Sequence, residues 1–216
     1  MQRDNLLNIF KNCNFSGKLA RDNFEDKIID NLPKNFSYKY FYGVSKVCII
    51  PEGADYVIKI PFNSIWDDSN EEYEDFNNAT YDNYHNWDYC FAEVFYYNTA
   101  KKEKVHKIFC KARLLGYINN YPIYIQERAV TYYNKNEDML NEEDERINST
   151  REYCKKNGFP CFNSVWISDA LEYYGQKTFN RMMSFIQSSH IRDLHEDNIG
   201  YIGQKPVLID YSGFFN

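Results

Sequence analysis

The chain has 216 residues and a formal charge of −6, from 31 acidic and 25 basic side chains. That length supplies one sizeable domain or two small lobes sharing a cleft, and the acidic balance argues against a nucleic-acid partner, which needs clustered Lys and Arg. Met1-Gln-Arg-Asp-Asn5 lacks the apolar core of a signal peptide and no apolar run reaches membrane-spanning length, so no membrane partner and a cytoplasmic location are expected.

Six cysteines, at positions 13, 48, 90, 110, 154 and 161, include no Cys-x-x-Cys pair. Buried free thiols in a reducing compartment are expected rather than a disulfide framework. Along the chain, Leu19, Phe24, Ile28, Ile29 and Leu32 recur at helical spacing and predict a helix over 18–31 that stops before Pro33, with a packing role. Tyr38-Lys-Tyr-Phe-Tyr-Gly43, Lys46-Val-Cys-Ile-Ile50 and Tyr56-Val-Ile-Lys-Ile60 are β-rich, with a turn at Pro51-Glu-Gly-Ala-Asp55, and predict an antiparallel meander. Lys59 lies between Ile58 and Ile60, so alternation puts it on the opposite face from both; a lysine so placed, taken alone, faces solvent.

Residues 63–87 are rich in Asp, Asn and Glu. The acidic run Asp67-Asp-Ser-Asn-Glu-Glu-Tyr-Glu-Asp75 lacks the glycine and ligand spacing of a Ca²⁺ loop and reads as a solvated insertion. Residues 88–104 predict a helix whose apolar stripe is Cys90, Phe91, Val94, Phe95 and Ala100, with Glu93 inside it. Residues 108–116 and 121–127 predict two more strands joined by a turn at 118–120, completing a five-stranded sheet crossed by one helix. Residues 131–146 form a polar, acidic linker or solvated helix start, and the lobe boundary is placed there. A helix over 165–187 is predicted, capped by Asn163 or Ser164.

The last stretch carries the chemistry. His190-Ile-Arg-Asp-Leu-His-Glu-Asp-Asn198 reads as a polar loop, residues 199–203 as a short turn, and Val207-Leu-Ile-Asp210 as a buried strand delivering a carboxylate. Asp193, Asn198 and Asp210 offer two carboxylates and an amide oxygen, a set suited to a hard cation such as Mg²⁺. Asp193 is placed to accept a proton from an attacking hydroxyl while Asn198 and Asp210 hold metal and phosphate.

Asp193-Leu-His-Glu-Asp-Asn198 resembles the catalytic loop of the protein-kinase-like superfamily. Its form is closest to the aminoglycoside and choline phosphotransferase branch and to kinase-like proteins of bacteria and phages. Leu208-Ile-Asp-Tyr-Ser212 is similar to the strand and metal-binding Asp that follow in that superfamily. The resemblance implies an α+β, protein-kinase-like fold: an N-terminal extension and a five-stranded antiparallel N-lobe with one helix over 1–130, and a reduced, mostly helical C-lobe over 131–216 that ends just after Asp210. It implies ATP and Mg²⁺ as cofactors, Asp193 as base, and Asn198 and Asp210 as metal ligands. It further implies Lys59 on the α- and β-phosphates, Glu93 (or, less well placed, Glu103) as its helix partner, Gly43 in the phosphate-covering hairpin, and Glu127 at the start of an adenine-contacting hinge. The hairpin departs from the family in having one glycine, and the usual Asp-Phe-Gly is Asp210-Tyr-Ser212. The sequence stops at Asn216, where a protein kinase continues into an activation segment.

Three readings follow. The first is a minimal Mg·ATP-dependent phosphotransferase with an unknown phosphate acceptor. The second is a weak or inactive pseudokinase, a regulatory module from a phage or mobile element that engages a protein partner. The third is a hydrolase whose Zn²⁺ or Fe²⁺ sits on His190, Asp193 and His195.

Overall fold

The computed structural model of the chain describes residues 3–75, 88–132 and 145–212. They divide into two compact units, Met1–Val94 with Lys111–Arg128, and Phe95–Cys110 with Ala129–Asn216.

The first unit opens with two short helices, α1 (Arg3–Asn8) and α2 (Phe24–Lys27), followed by a 3-10 turn at Ile29–Asn31. The continuous helix expected over 18–31 does not form. Leu19 instead runs as an extended strap whose N–H donates to Asn63 Oδ1 (2.6 Å) and whose carbonyl accepts from Ser64 N (3.1 Å). Asn23 folds back to accept from Ala20 N (2.9 Å), the side-chain competition with the backbone that makes Asn a helix starter rather than a helix filler. Leu19, Phe24 and Ile28 are buried all the same.

The sheet follows: β1 (Tyr38–Tyr42), β2 (Lys46–Pro51) and β3 (Tyr56–Pro61) form the predicted meander. The acidic run makes the turn and second strand of a separate hairpin, β4 (Ser64–Asp67) and β5 (Glu72–Asp75), in which Asp67 accepts from Ser69 N (2.9 Å); residues 76–87 of that stretch lie outside the described residues. After α3 (Tyr89–Lys102) come β6 (Ala112–Ile118) and β7 (Tyr121–Glu127), joined by a turn with Asn119 and Asn120 both at positive φ, which asparagine tolerates. The order is β1-β2-β3-β7-β6, antiparallel throughout. Strand β6 starts at Ala112, later than expected, because His106–Ile108 form a 3-10 turn.

Alternation gives this sheet two unlike faces. One carries Val47, Ile49, Ile58, Ile60, Ile123 and Ile125, and the N-terminal residues Leu6, Phe10, Leu19, Phe24 and Ile28 close over it as one apolar core. The other carries Lys46, Lys59, Tyr124 and Gln126, all buried, and receives the first turns of α3. Helix α3 keeps the predicted period but not the predicted phase. Its buried side is Tyr89, Cys90, Glu93, Tyr96, Tyr97 and Ala100, whereas Phe91 and Phe95 are 52% and 55% exposed.

The second unit contains β8 (Val130–Thr131), α4 (Glu145–Asn157), α5 (Ser164–Tyr174), α6 (Gln176–Ser188), β9 (Ile199–Ile202) and β10 (Lys205–Leu208), the strands ordered β10-β9-β8. The single helix expected over 165–187 is two. Gly175 (φ 74°, ψ 148°) ends α5 by donating to Leu171 O (3.0 Å) and begins α6 by accepting from Phe179 N (3.0 Å). The stretch 199–203, expected as a turn, is β9 plus the start of a hairpin turn at Gly203 (φ 61°). Cys110 N donates to Leu208 O (2.9 Å) and Tyr211 Oη to Cys110 O (2.6 Å), so residues 109–110 are stitched to the end of β10. The class is α+β, with a five-stranded antiparallel sheet and six α-helices among the described residues. No helix among them is long and apolar enough to cross a membrane. All six cysteines are free, and all but Cys48 and Cys161 are buried.

Candidate functional site

In the first unit the charged face of the sheet meets α3 at Glu93. Lys59, paired across strands with Cys48 and Tyr124, sends Nζ to both Glu93 oxygens at 2.8 Å. Lys46 Nζ reaches Glu93 Oε1 at 2.9 Å, and Gln126 Nε2 donates to Oε2 at 3.2 Å. The Lys46, Lys59 and Glu93 side chains are 6%, 4% and 1% exposed. Lys59 is therefore not a solvent-facing strand lysine, and Glu93 is not a water-facing helix glutamate. At such burial each ion survives only because its partners replace the lost water.

Asp88 starts α3. Its Oδ1 accepts from Phe91 N (2.8 Å), the helix-capping bond, and Oδ2 accepts from the Tyr124 hydroxyl. Burial pushes the Asp88 carboxyl up to about 6 against these stabilising bonds. Burial and the Asp88 charge push the Tyr124 phenol far up as well. The cap thus fixes the axial position of α3 and so presents Glu93 to the two lysines.

Gly43 sits in the exposed tip of the β1–β2 hairpin, its N–H donating to Lys46 O (3.0 Å), with open space around it. Glu127 ends β7. Its Oε2 accepts from Lys111 N (3.0 Å) and its N–H donates to Lys111 O (3.0 Å), while Arg128 N donates to Asp55 O (2.9 Å). Two backbone N–H groups of the expected hinge are thereby engaged inside the first unit.

In the second unit, α6 ends at Ser188 and the chain leaves it through His190 in the left-handed region (φ 55°). The loop that follows is held by Asn198, whose Nδ2 donates to Asp193 O (2.8 Å) and to Asp193 Oδ2 (3.2 Å). The same Nδ2 also stands 2.9 Å from His195 Nε2, so Asp193, His195 and Asn198 form one side-chain cluster. His195 caps the 3-10 turn Glu196–Asn198 by accepting from Asp197 N (3.3 Å), and its Nε2 lies 3.4 Å from Asp193 Oδ1. Asn198 O accepts from Ile209 N (2.8 Å), which ties the loop to the residue before Asp210. Asp210 itself lies just past β10, not on it, and its Oδ1 accepts from Ser212 Oγ (2.8 Å). From the other side Asn163 caps α5 through Trp166 N (2.8 Å) and donates to Glu196 Oε1 (3.1 Å).

No family model matches the chain, and neither a curated protein nor a solved structure matches it. The site is thus described by its own geometry. Within the units, Lys59 is joined to Glu93, and Asp193 to Asn198, with Asp210 directly after Asn198's backbone partner Ile209. Asn198 Oδ1 and the Asp210 carboxylate are the oxygens suited to a hard cation. Among the described residues, no three His, Cys, Asp or Glu side chains are grouped to hold a metal ion. His190 Nδ1 instead stands 3.5 Å from the Arg192 guanidinium, a poor setting for a transition-metal ligand. Sequence reasoning passed over Lys46, Asp88, Tyr124 and Gln126. Lys46 carried a signal, because alternation sets it on the Lys59 face, opposite Val47 and Ile49.

Proposed function

We propose that the protein is a kinase-like nucleotide-binding protein that transfers phosphate from Mg·ATP. The observation that carries this reading is the buried Lys59–Glu93 pair, joining the middle strand of a five-stranded sheet to the helix beside it. A surface pair of this kind contributes little, whereas a buried one is retained at a desolvation cost and so points to a role beyond packing. Lys59 is read as the cation for the α- and β-phosphates, with Glu93 holding its direction. Asp193 is read as the base, its carboxylate oriented by the Asn198 amide and 3.4 Å from His195 Nε2. Mg²⁺, when bound at Asn198 Oδ1 and Asp210, supplies neutralisation of phosphate charge. The acceptor is a hydroxyl-bearing small molecule, a protein or the chain itself.

The test is transfer of labelled phosphate from Mg·ATP, comparing wild type with Asp193→Ala and Asp210→Ala. Turnover is expected to fall by about 10²-fold or more on loss of the base. Unchanged turnover in both variants would refute the assignment. A binding module without turnover is the second reading, favoured by the hairpin: Gly43 is its single glycine and is flanked by the exposed side chains of Tyr42 and Val44. Fewer glycines give backbone N–H groups less freedom to approach phosphates. Under that reading Mg·ATP raises the melting temperature while no phosphate moves, the stabilisation being about 2.7 kcal/mol at a hundredfold excess over Kd.

A further inference from the structure

The nucleotide reading uses one lysine, but Glu93 is shared by two. Lys46 and Lys59 donate to the same oxygen, Glu93 Oε1, at 2.9 and 2.8 Å, so their ammonium groups are no further apart than those two lengths laid end to end. Lys46 lies on the opposite face of β2 from Val47, which belongs to the apolar core. Placing two like charges so close in a poorly hydrated space is unfavourable unless a shared anion offsets it.

The sharing has a chemical use. When one ammonium turns to an incoming phosphate oxygen, the other keeps a positive charge on Glu93; with Lys59 alone, the same move takes that ammonium from the buried carboxylate and leaves it the neutral Gln126 amide. Lys46 also stands where such an exchange is easiest, at the inner end of the β1–β2 hairpin whose outer residues, Phe41 to Val44, are exposed. Its carbonyl closes that hairpin by accepting from Gly43 N (3.0 Å), so movement of the hairpin and of Lys46 are linked.

We propose that Lys46 is a second phosphate-binding residue, forming with Lys59 a two-lysine clamp on Glu93 for the di- or triphosphate chain of a nucleotide. The inference rests on the nucleotide reading above for its ligand, and on the shared carboxylate for its residues. The test is calorimetric titration of the full chain with Mg·ATP, tripolyphosphate and adenosine, for wild type, Lys46→Met, Lys46→Arg and Lys59→Met. The clamp predicts at least a tenfold loss of affinity for Mg·ATP and tripolyphosphate in Lys46→Met and in Lys59→Met, no change toward adenosine, and recovery to within threefold of wild type in Lys46→Arg. An affinity for Mg·ATP within twofold of wild type in Lys46→Met overturns it, as does an equal loss toward adenosine, which marks a merely structural role. Should Lys46→Met not fold, the ¹⁵N signal of the Lys46 ammonium in wild type decides: a shift on saturation with tripolyphosphate supports the clamp, and no shift overturns it. Wild type that binds tripolyphosphate but not Mg·ATP keeps the clamp and removes the nucleotide reading; wild type that binds neither removes both.

Discussion

Asp88 carries the clearest consequence at the scale of single residues. Its carboxyl moves from 3.8 to about 6 because burial disfavours the charged form more than Tyr124 and the α3 backbone favour it. Between these values the folded chain keeps a proton that the unfolded chain has released. Stability from this group is therefore complete below about pH 4 and declines as pH rises through about 6, by up to about 3 kcal/mol. Replacing Asp88 with Asn removes the titration while leaving an oxygen to cap α3. Urea unfolding of both proteins across that range should show wild type losing ground to Asp88→Asn as pH rises; parallel curves would exclude the mechanism. The direction of Lys59 is legible in Val57-Ile-Lys59-Ile60, since period-2 alternation turns it from the apolar side. What alternation does not tell is whether the other side is covered. That depends on where α3 lies, a long-range fact that converts Lys46, Gln126 and Tyr124 from surface residues into buried ones.

Among the elements, caps and glycines decide where the chain turns. Asn163 is legible as a cap, since a short polar side chain precedes an apolar periodic run, and it also reaches Glu196 in the loop that carries Asp193. Asn163→Ala should cost about 1 kcal/mol from the cap, with a further fraction from the lost Glu196 contact, read as a lower urea midpoint. Gly200 is a sharper case. A Cβ there would run into the Val130 carbonyl oxygen and come within 2.7 Å of Ile209 Cδ1, so the β8–β9 pairing cannot absorb it without backbone movement. Gly200→Ala should destabilise by about 1–3 kcal/mol, with hydrogen exchange accelerated at β8 and β9; wild-type protection there would refute this. The same elements mark where sequence pattern runs out. Helical periodicity continues straight through Gly175, because one glycine interrupts neither apolar spacing nor composition. The phase of α3 is misread because Phe91 and Phe95 are apolar yet exposed, while Glu93 is charged yet buried. Strand β9 spans four residues, too few for alternation to register.

For the molecule as a whole, the apolar side of the five-stranded sheet depends on residues ahead of it in sequence. Phe10, Leu19, Phe24 and Ile28 are fully buried against Ile49, Ile58 and Ile60. Deleting residues 1–32 should leave that side bare, and each buried aliphatic or aromatic side chain so exposed forfeits about 1.5–3 kcal/mol. The shortened chain is expected to bind a hydrophobic dye and to aggregate; a soluble, cooperatively unfolding product would show the cover to be dispensable. The chain also passes between the two units at residues 94–95, 110–111 and 128–129. No single break in the backbone therefore releases either one. A fragment ending near residue 130 would carry Phe109 and Cys110 without Leu208 and Tyr211, and a fragment starting there would lack the segment that β10 is stitched to. In the language of inheritance, the two units form a single heritable block. Recombination cannot trade one for a foreign counterpart at a single crossover, and a stop codon between residues 130 and 208 truncates the second unit while leaving its segment 95–110 attached to the first.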